Sequence, residues 1–234
     1  MTLLERILVM LPLTWMDVVA LVLIVTAWAA YQWYADYGRP VRPQLGREMD
    51  RFVRGWIERM VERDNRMVDV NVLRNLMRSS QFFASTTMLI LGALVALMGY
   101  AERAASVVAE LPFGQQVSIR LWELKILVLL LIFVYAFFKF SWSLRQFGFS
   151  SILVGAARKP PGDASYAADI DRIAVMLSFA NRNFNQGLRG YYFGVAALSW
   201  FLHPALMIAV TLGVLYVLHQ REFRSRTLEV LVRD

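Results

Sequence analysis

The chain has no cysteine, two histidines and three lysines among its 234 residues, and each shortage removes a class of chemistry. Without cysteine there are no disulfides, no iron–sulfur clusters and no thiolate metal sites. Two histidines (His203 and His219) and no His-Glu-x-x-His leave zinc without a ligand set, so neither a metal nor a cofactor is expected. A Gly-x-Ser-x-Gly elbow, a phosphate-cradling glycine loop ending in Lys-Ser/Thr, and an acidic cluster inside the apolar runs are equally missing. Catalysis is the less expected class. A lipid-modifying membrane enzyme would need a lateral cleft with at least two titratable groups, and few residues here fit that role.

What the chain has in abundance is apolar length. Hydrophobic residues make up 58%, and they gather in four runs over residues 18–34, 82–100, 121–140 and 191–218. A helix rises about 1.5 Å per residue and the hydrocarbon layer is about 30 Å thick, so about 20 apolar residues span it. Helix is the spanning form that satisfies its own backbone groups. The expectation is an all-α integral membrane bundle, one membrane domain over residues 1–234, with four transmembrane helices and long amphipathic cytoplasmic helices.

The net charge of +7 invites a nucleic-acid partner, but the positive-inside rule explains it better, and no nucleic acid is expected. Of 25 basic residues, ten fall in 35–81 and seven in 139–189, which places both segments in the cytoplasm and the N-terminus outside. The ratio of 22 Arg to three Lys points to a GC-rich genome, hence to a bacterial cytoplasmic (inner) membrane. Four-span parity then puts the basic tail, Arg221, Arg224, Arg226 and Arg233, outside, against the same rule. The tail tolerates this, or the last run is a re-entrant hairpin that Pro204 breaks, or one run is not a span.

Two cytoplasmic helices are expected, over about 44–78 and 164–188. In the first, Leu45, Met49, Phe52, Val53, Trp56, Met60 and Val61 keep the rhythm of one apolar face, with Asp50, Arg54, Glu58, Glu62 and Arg66 opposite. That helix lies at the membrane surface or packs on partner helices; an Arg-rich lipid headgroup site is the sharper alternative. In the second, Ile170, Ile173, Ala174, Leu177 and Ala180 form the stripe, capped by Asp163 or Ser165. Pro40, Pro43, Pro112, Gly114 and the run from Lys159 to Asp163 mark boundaries and linkers.

In lipid, helices approach through small residues. Ser85, Gly92, Ala96 and Gly99 on the second span, and Gly190 and Gly194 on the fourth, are therefore expected at a close-packed centre, with the first and third spans facing lipid more. His203-Pro204, with Trp200 one turn before and Ser199 beside it, is the candidate intramembrane site. It reads either as a proton relay or gate, or as a neutral imidazole satisfying a kink at the Trp200 carbonyl. Asn181, Asn185 and Arg189, opposite Ser85 and Thr86, could line a cytoplasmic entrance or simply cap helices. Trp15, Trp28, Trp33, Trp122 and Trp142 read as aromatic belts, and Lys139 and Arg145 as snorkelling anchors.

Several stretches carry a resemblance: Gln146 to Ala156 (QFGFSSILVGA), Arg189 to Phe193 (RGYYF), Trp200 to Pro204 (WFLHP), Arg221 to Thr227 (REFRSRT) and the segment 74–94. Together they resemble the membrane family catalogued as domain of unknown function 599. The resemblance implies a four-span membrane protein of bacteria, with relatives in plants, and carries over no activity. The functional expectation is an oligomeric channel or transporter-like protein in the lipid bilayer, most simply a homo-oligomer. A structural or scaffold subunit of a membrane complex is the alternative.

Overall fold

The computed structural model describes residues 13–38, 43–109, 118–157 and 164–232. Every regular element among them is an α-helix: α1 (Trp15–Tyr37), α2 (Leu45–Glu62), α3 (Met67–Gly99), α4 (Ala101–Ala109), α5 (Ile119–Ala156), α6 (Ala164–Ser199), α7 (Pro204–Phe223) and α8 (Arg226–Val232). Four stretches are long and apolar enough to cross a membrane: α1, α3, α5 and Pro204–Val232. The boundary at Pro40, the loop around Pro112 and Gly114, and the linker with its Asp163 cap lie outside the described residues.

The chain forms two compact units. The first gathers Met1–Gly38, Thr87–Ala136 and Arg189–Val217; the second gathers Arg39–Thr86, Phe137–Leu188 and Leu218–Asp234. In the first unit α1 starts with a capping box. The Thr14 hydroxyl accepts from the Asp17 N–H while the Thr14 N–H donates to Asp17 Oδ2, so two backbone donors at the helix start are satisfied. The interior is apolar, built from Ala20, Ile24, Ile126, Leu129, Ile132, Phe193, Ala196, Ala197 and Met207. Trp28 lies edge-on to Tyr135 at 5.0 Å and stacks on Phe193 at 5.7 Å.

The second unit has its own core of Ile57, Met60, Val61, Leu73, Phe147, Val154, Ile170, Ile173, Leu177 and Ala180. These come from α2, α3, α5 and α6 at helical spacing, as a layer of helices sharing one apolar interior requires. Arg66 ties two helix ends together. Its guanidinium donates to the Val61 carbonyl of α2 at 3.2 Å, to the Val154 carbonyl of α5 at 2.7 Å and to that of Ala157, just past the end of α5, at 3.3 Å. These are C-terminal carbonyls with no intrahelical donor, and a cation suits their dipole end. In the same unit α8 packs on α2, and the Gly46 N–H donates to Glu222 Oε1.

The structure departs from the sequence expectations in four places. The helix expected over 44–78 is two, because the chain turns extended at Arg63, where Arg63 pairs with the buried Asp69. The run 191–218 is not one helix. Its first part is the end of α6, which continues unbroken from Ala164, and its second part is α7, with a break over 200–203. The third span is the most enclosed: 39% of the apolar window of α5 is buried, against 17% for α3. The reason is steric, since the glycines of α6 meet α5. A methyl on Gly190 would sit 3.3 Å from Ala136 Cβ, one on Gly194 3.0 Å from Phe133 Cζ, and one on Gly187 2.7 Å from the Phe140 ring. Finally, Gly92, Ala96 and Gly99 on α3 are exposed, and nothing in the described chain lies within 4 Å of a methyl built on Gly92 or Gly99.

Candidate functional site

The break between α6 and α7 grows from one missing hydrogen. In a continuous helix the N–H of residue 204 would reach the Trp200 carbonyl, but Pro204 has none. Trp200, Phe201 and Leu202 instead donate to carbonyls three residues back, which tightens the winding. His203 then starts α7. Its carbonyl accepts from Leu206 and Met207, and its Nδ1 accepts from the Ala205 N–H at 3.0 Å. Pro204 thus takes the first helical position, where its lack of a donor costs least.

The freed Trp200 carbonyl is met from another helix. Lys125 of α5, buried to 2% exposure, donates Nζ to it at 2.9 Å and lies 5.3 Å from the Trp200 ring centre. The Trp200 indole N–H in turn donates to Asp17 Oδ1 at 2.7 Å. A buried acid and a buried base are therefore held on either side of one tryptophan. The sequence placed His203 or a water at that carbonyl; Lys125 is the group that occupies it.

A second polar cluster lies nineteen residues further along α1. Arg189 of α6 pairs with Asp36 at 2.7 Å, both side chains under one-tenth exposed. Arg189 also donates to Gln32 Oε1 at 3.0 Å, and Gln32 Nε2 donates to the Tyr135 hydroxyl at 2.6 Å. The guanidinium sits over Tyr31, 5.6 Å from its ring centre. At 1.5 Å per residue, Asp17 and Asp36 are about 28 Å apart along the helix, close to the thickness of a hydrocarbon layer. Among the described residues the interior between them is largely apolar; its polar groups include the pair Thr87–Tyr191 at 2.9 Å, Thr211, whose hydroxyl bonds its own helix, and the buried indole N–H of Trp28.

Of the candidate residues, His203, Trp200, Ser199 and Arg189 belong to the first unit, whereas Asn181, Asn185, Ser85 and Thr86 belong to the second. Ser199 Oγ donates to the Ala196 carbonyl at 2.7 Å within its own helix. Asn185 and Ser85 are exposed; Asn181 and Thr86 are half-buried. The polar run 181–189 is helix interior rather than cap. Trp15 and Trp33 are exposed, as belt residues would be, but Trp28 and Trp122 pack inside. Asp17, Gln32, Asp36, Lys125 and Tyr135 were missed as partners. Lys125 and Asp36, charges at the margins of apolar runs, were the available signal.

The second unit keeps its polar contacts structural. Ser143 donates to the Ala180 carbonyl at 2.8 Å and meets Ser80 at 3.1 Å, and Trp56 and Arg63 both donate to Asp69. Asp50 accepts from the Ser178 hydroxyl at 2.9 Å. Burial pushes the Asp50 carboxyl above the ordinary carboxylate value, and Ser178 and Arg182 partly offset this. Among the described residues no three His, Asp or Glu side chains converge to hold a metal ion. No curated protein and no solved structure matches the chain. One family model does match, over residues 19–227, and the chain belongs to that family, described as a protein of unknown function, DUF599.

Proposed function

We propose that the protein is a five-pass scaffold of a bacterial cytoplasmic membrane, with its N-terminus outside and its C-terminal tail inside. The end of α6 and the whole of α7 act as two crossings around the break at 200–203, where the sequence alone counted one. Charge supports this topology. The unit formed by 39–86, 137–188 and 218–234 holds ten, six and four basic residues, 20 of the 25, and only 12 of the 18 acids. The tail then shares the cytoplasm with the other basic segments, and the conflict raised by four-span parity disappears.

The observation that supports the scaffold reading is the largely apolar interior of the first unit. Its charges sit at the two ends of α1 and are spent on each other and on the freed Trp200 carbonyl, while Ile24, Leu129, Ile132, Phe193 and Ala197 fill the space between. Among the described residues that space offers an ion or polar solute few ligands, the Thr87–Tyr191 pair and the Trp28 indole N–H. Two polar latches at the two ends of α1 suit a rigid anchor. A channel or transporter built from this chain would need copies to form its wall, and the exposed face of α3 with Gly92, Ala96 and Gly99 is the surface open to that role.

Reconstituted protein should pass neither protons nor small ions above the level of empty liposomes, and should co-purify from native membranes with a stoichiometric partner. Flux that scales with protein, together with a symmetric oligomer in mild detergent, would replace the scaffold by a channel between copies.

A further inference from the structure

Helix α2 carries more apolar surface than its unit covers. Ile57, Met60 and Val61 point into the core and are fully buried. Roughly a quarter turn away, Leu45, Met49, Phe52 and Trp56 form a second stripe at i, i+4, i+7 and i+11. Leu45 and Trp56 are half-buried there, while Met49 and Phe52 stand 43% and 50% exposed. Arg59 extends that side by one more turn and is itself exposed. The far side, Arg47, Arg51, Arg54, Glu58 and Glu62, is exposed and charged. A helix with a core face, an apolar rim and a charged back is built for a boundary between media.

Chain length says which boundary is in reach. Span α1 ends at Tyr37 and α2 begins at Leu45, so the connection of seven residues extends at most about 25 Å. The start of α2 therefore cannot leave the neighbourhood of the leaflet that α1 exits. The charge is complementary as well, since the segment 39–86 holds ten arginines against six acids and bacterial inner leaflets are anionic.

We infer that α2 lies in the plane of the cytoplasmic leaflet, with Met49 and Phe52 inserted among the acyl-chain tops and Arg59 on anionic lipid headgroups. The phenyl and thioether supply apolar burial at headgroup depth, and the guanidinium pairs with phosphate as a fork. The far side stays in water, where Arg54 pairs with Asp171 and Arg51, Glu58 and Glu62 are exposed. The inference rests on the topology proposed above, and the experiment separates the two.

The absence of cysteine makes the test clean. Full-length Met49→Cys, Phe52→Cys and Glu58→Cys proteins are labelled with a small fluorophore and reconstituted in phosphatidylcholine bilayers with or without phosphatidylglycerol. Nitroxide lipids should quench the labels at 49 and 52 several-fold more than the one at 58, and iodide should do the reverse. Phosphatidylglycerol should strengthen the lipid quenching at 52. Arg59→Gln should lower the inserted population about fivefold, the worth of one arginine at an anionic surface. Equal iodide quenching at 52 and 58 would overturn the inference, and so would protection of 52 from both quenchers, which means a protein covers it. If the 58 label answers only to reagents on the outer side, the topology falls while the in-plane placement stands.

Discussion

Cutting the Arg189–Asp36 pair tests whether the end of α1 is latched as described. Arg189→Met keeps the apolar stem and removes a guanidinium that makes two charge-assisted bonds, to Asp36 at 2.7 Å and to Gln32 at 3.0 Å. Asp36 is then a carboxylate, its side chain 5% exposed, that has lost the guanidinium 2.7 Å away. Breaking one side of such a buried pair costs about 3–5 kcal/mol, most of it desolvation rather than lost attraction. Asp36→Leu should cost a similar amount by leaving the guanidinium behind. The double replacement removes both charges, so its remaining cost is that of Gln32 losing a donor, about 1–3 kcal/mol. The cycle therefore predicts a coupling of about 6 kcal/mol, with the double variant more stable than either single one. Denaturant titration of the purified chain in mild detergent, read by far-ultraviolet circular dichroism, measures it. Additive costs, or single costs below about 1 kcal/mol, would mean that the pair is solvated and latches nothing.

Other outcomes follow from the same contacts. Lys125→Met should destabilise by about 1–3 kcal/mol by leaving the Trp200 carbonyl without its donor, and by less in a Pro204→Ala background, where an N–H returns to that carbonyl; thermal melts of the four proteins decide it. Gly187→Ala should cost about 1–3 kcal/mol because the new methyl meets the Phe140 ring at 2.7 Å, whereas Gly92→Ala, with open space around it, should be neutral or stabilise by up to about 1 kcal/mol. Asp50 is held above its unfolded value, so the folded state binds the extra proton. Its contribution is present in acid and is lost as pH rises through the folded value, and Asp50→Asn should raise the melting temperature at neutral pH, with the gain shrinking toward pH 4 or so.

The apolar runs, the basic segments and the helical rhythm were open to reading because each is a local property of the chain. Pro204 was likewise a visible break, and the conflict between the basic tail and four-span parity is what the proposed topology addresses. The continuity of α6 escaped notice because its polar first half, 164–188, reads as a separate surface helix, while the glycines 187, 190 and 194 look as much like flexible joints as packing surface. What they pack on depends on Phe140, Ala136 and Phe133, roughly fifty residues earlier in the chain, and no periodicity encodes that choice. The same holds for the latches: Trp200 meets Asp17 across 183 residues and Arg189 meets Asp36 across 153. A stripe of small residues fits a neighbouring helix or a second copy equally well, and within the single chain Gly92, Ala96 and Gly99 are exposed.

The central claim is that the chain turns at 200–203 and returns, so that the tail lies with the basic segments. Single cysteines at Gly114, Gly162 and Val232, probed on intact spheroplasts with a membrane-impermeant thiol reagent, test it directly. The account predicts labelling at 114 before lysis and at 162 and 232 only after it. Labelling of 232 together with 114 on intact cells would contradict the returning helix and restore a four-span chain with its tail outside.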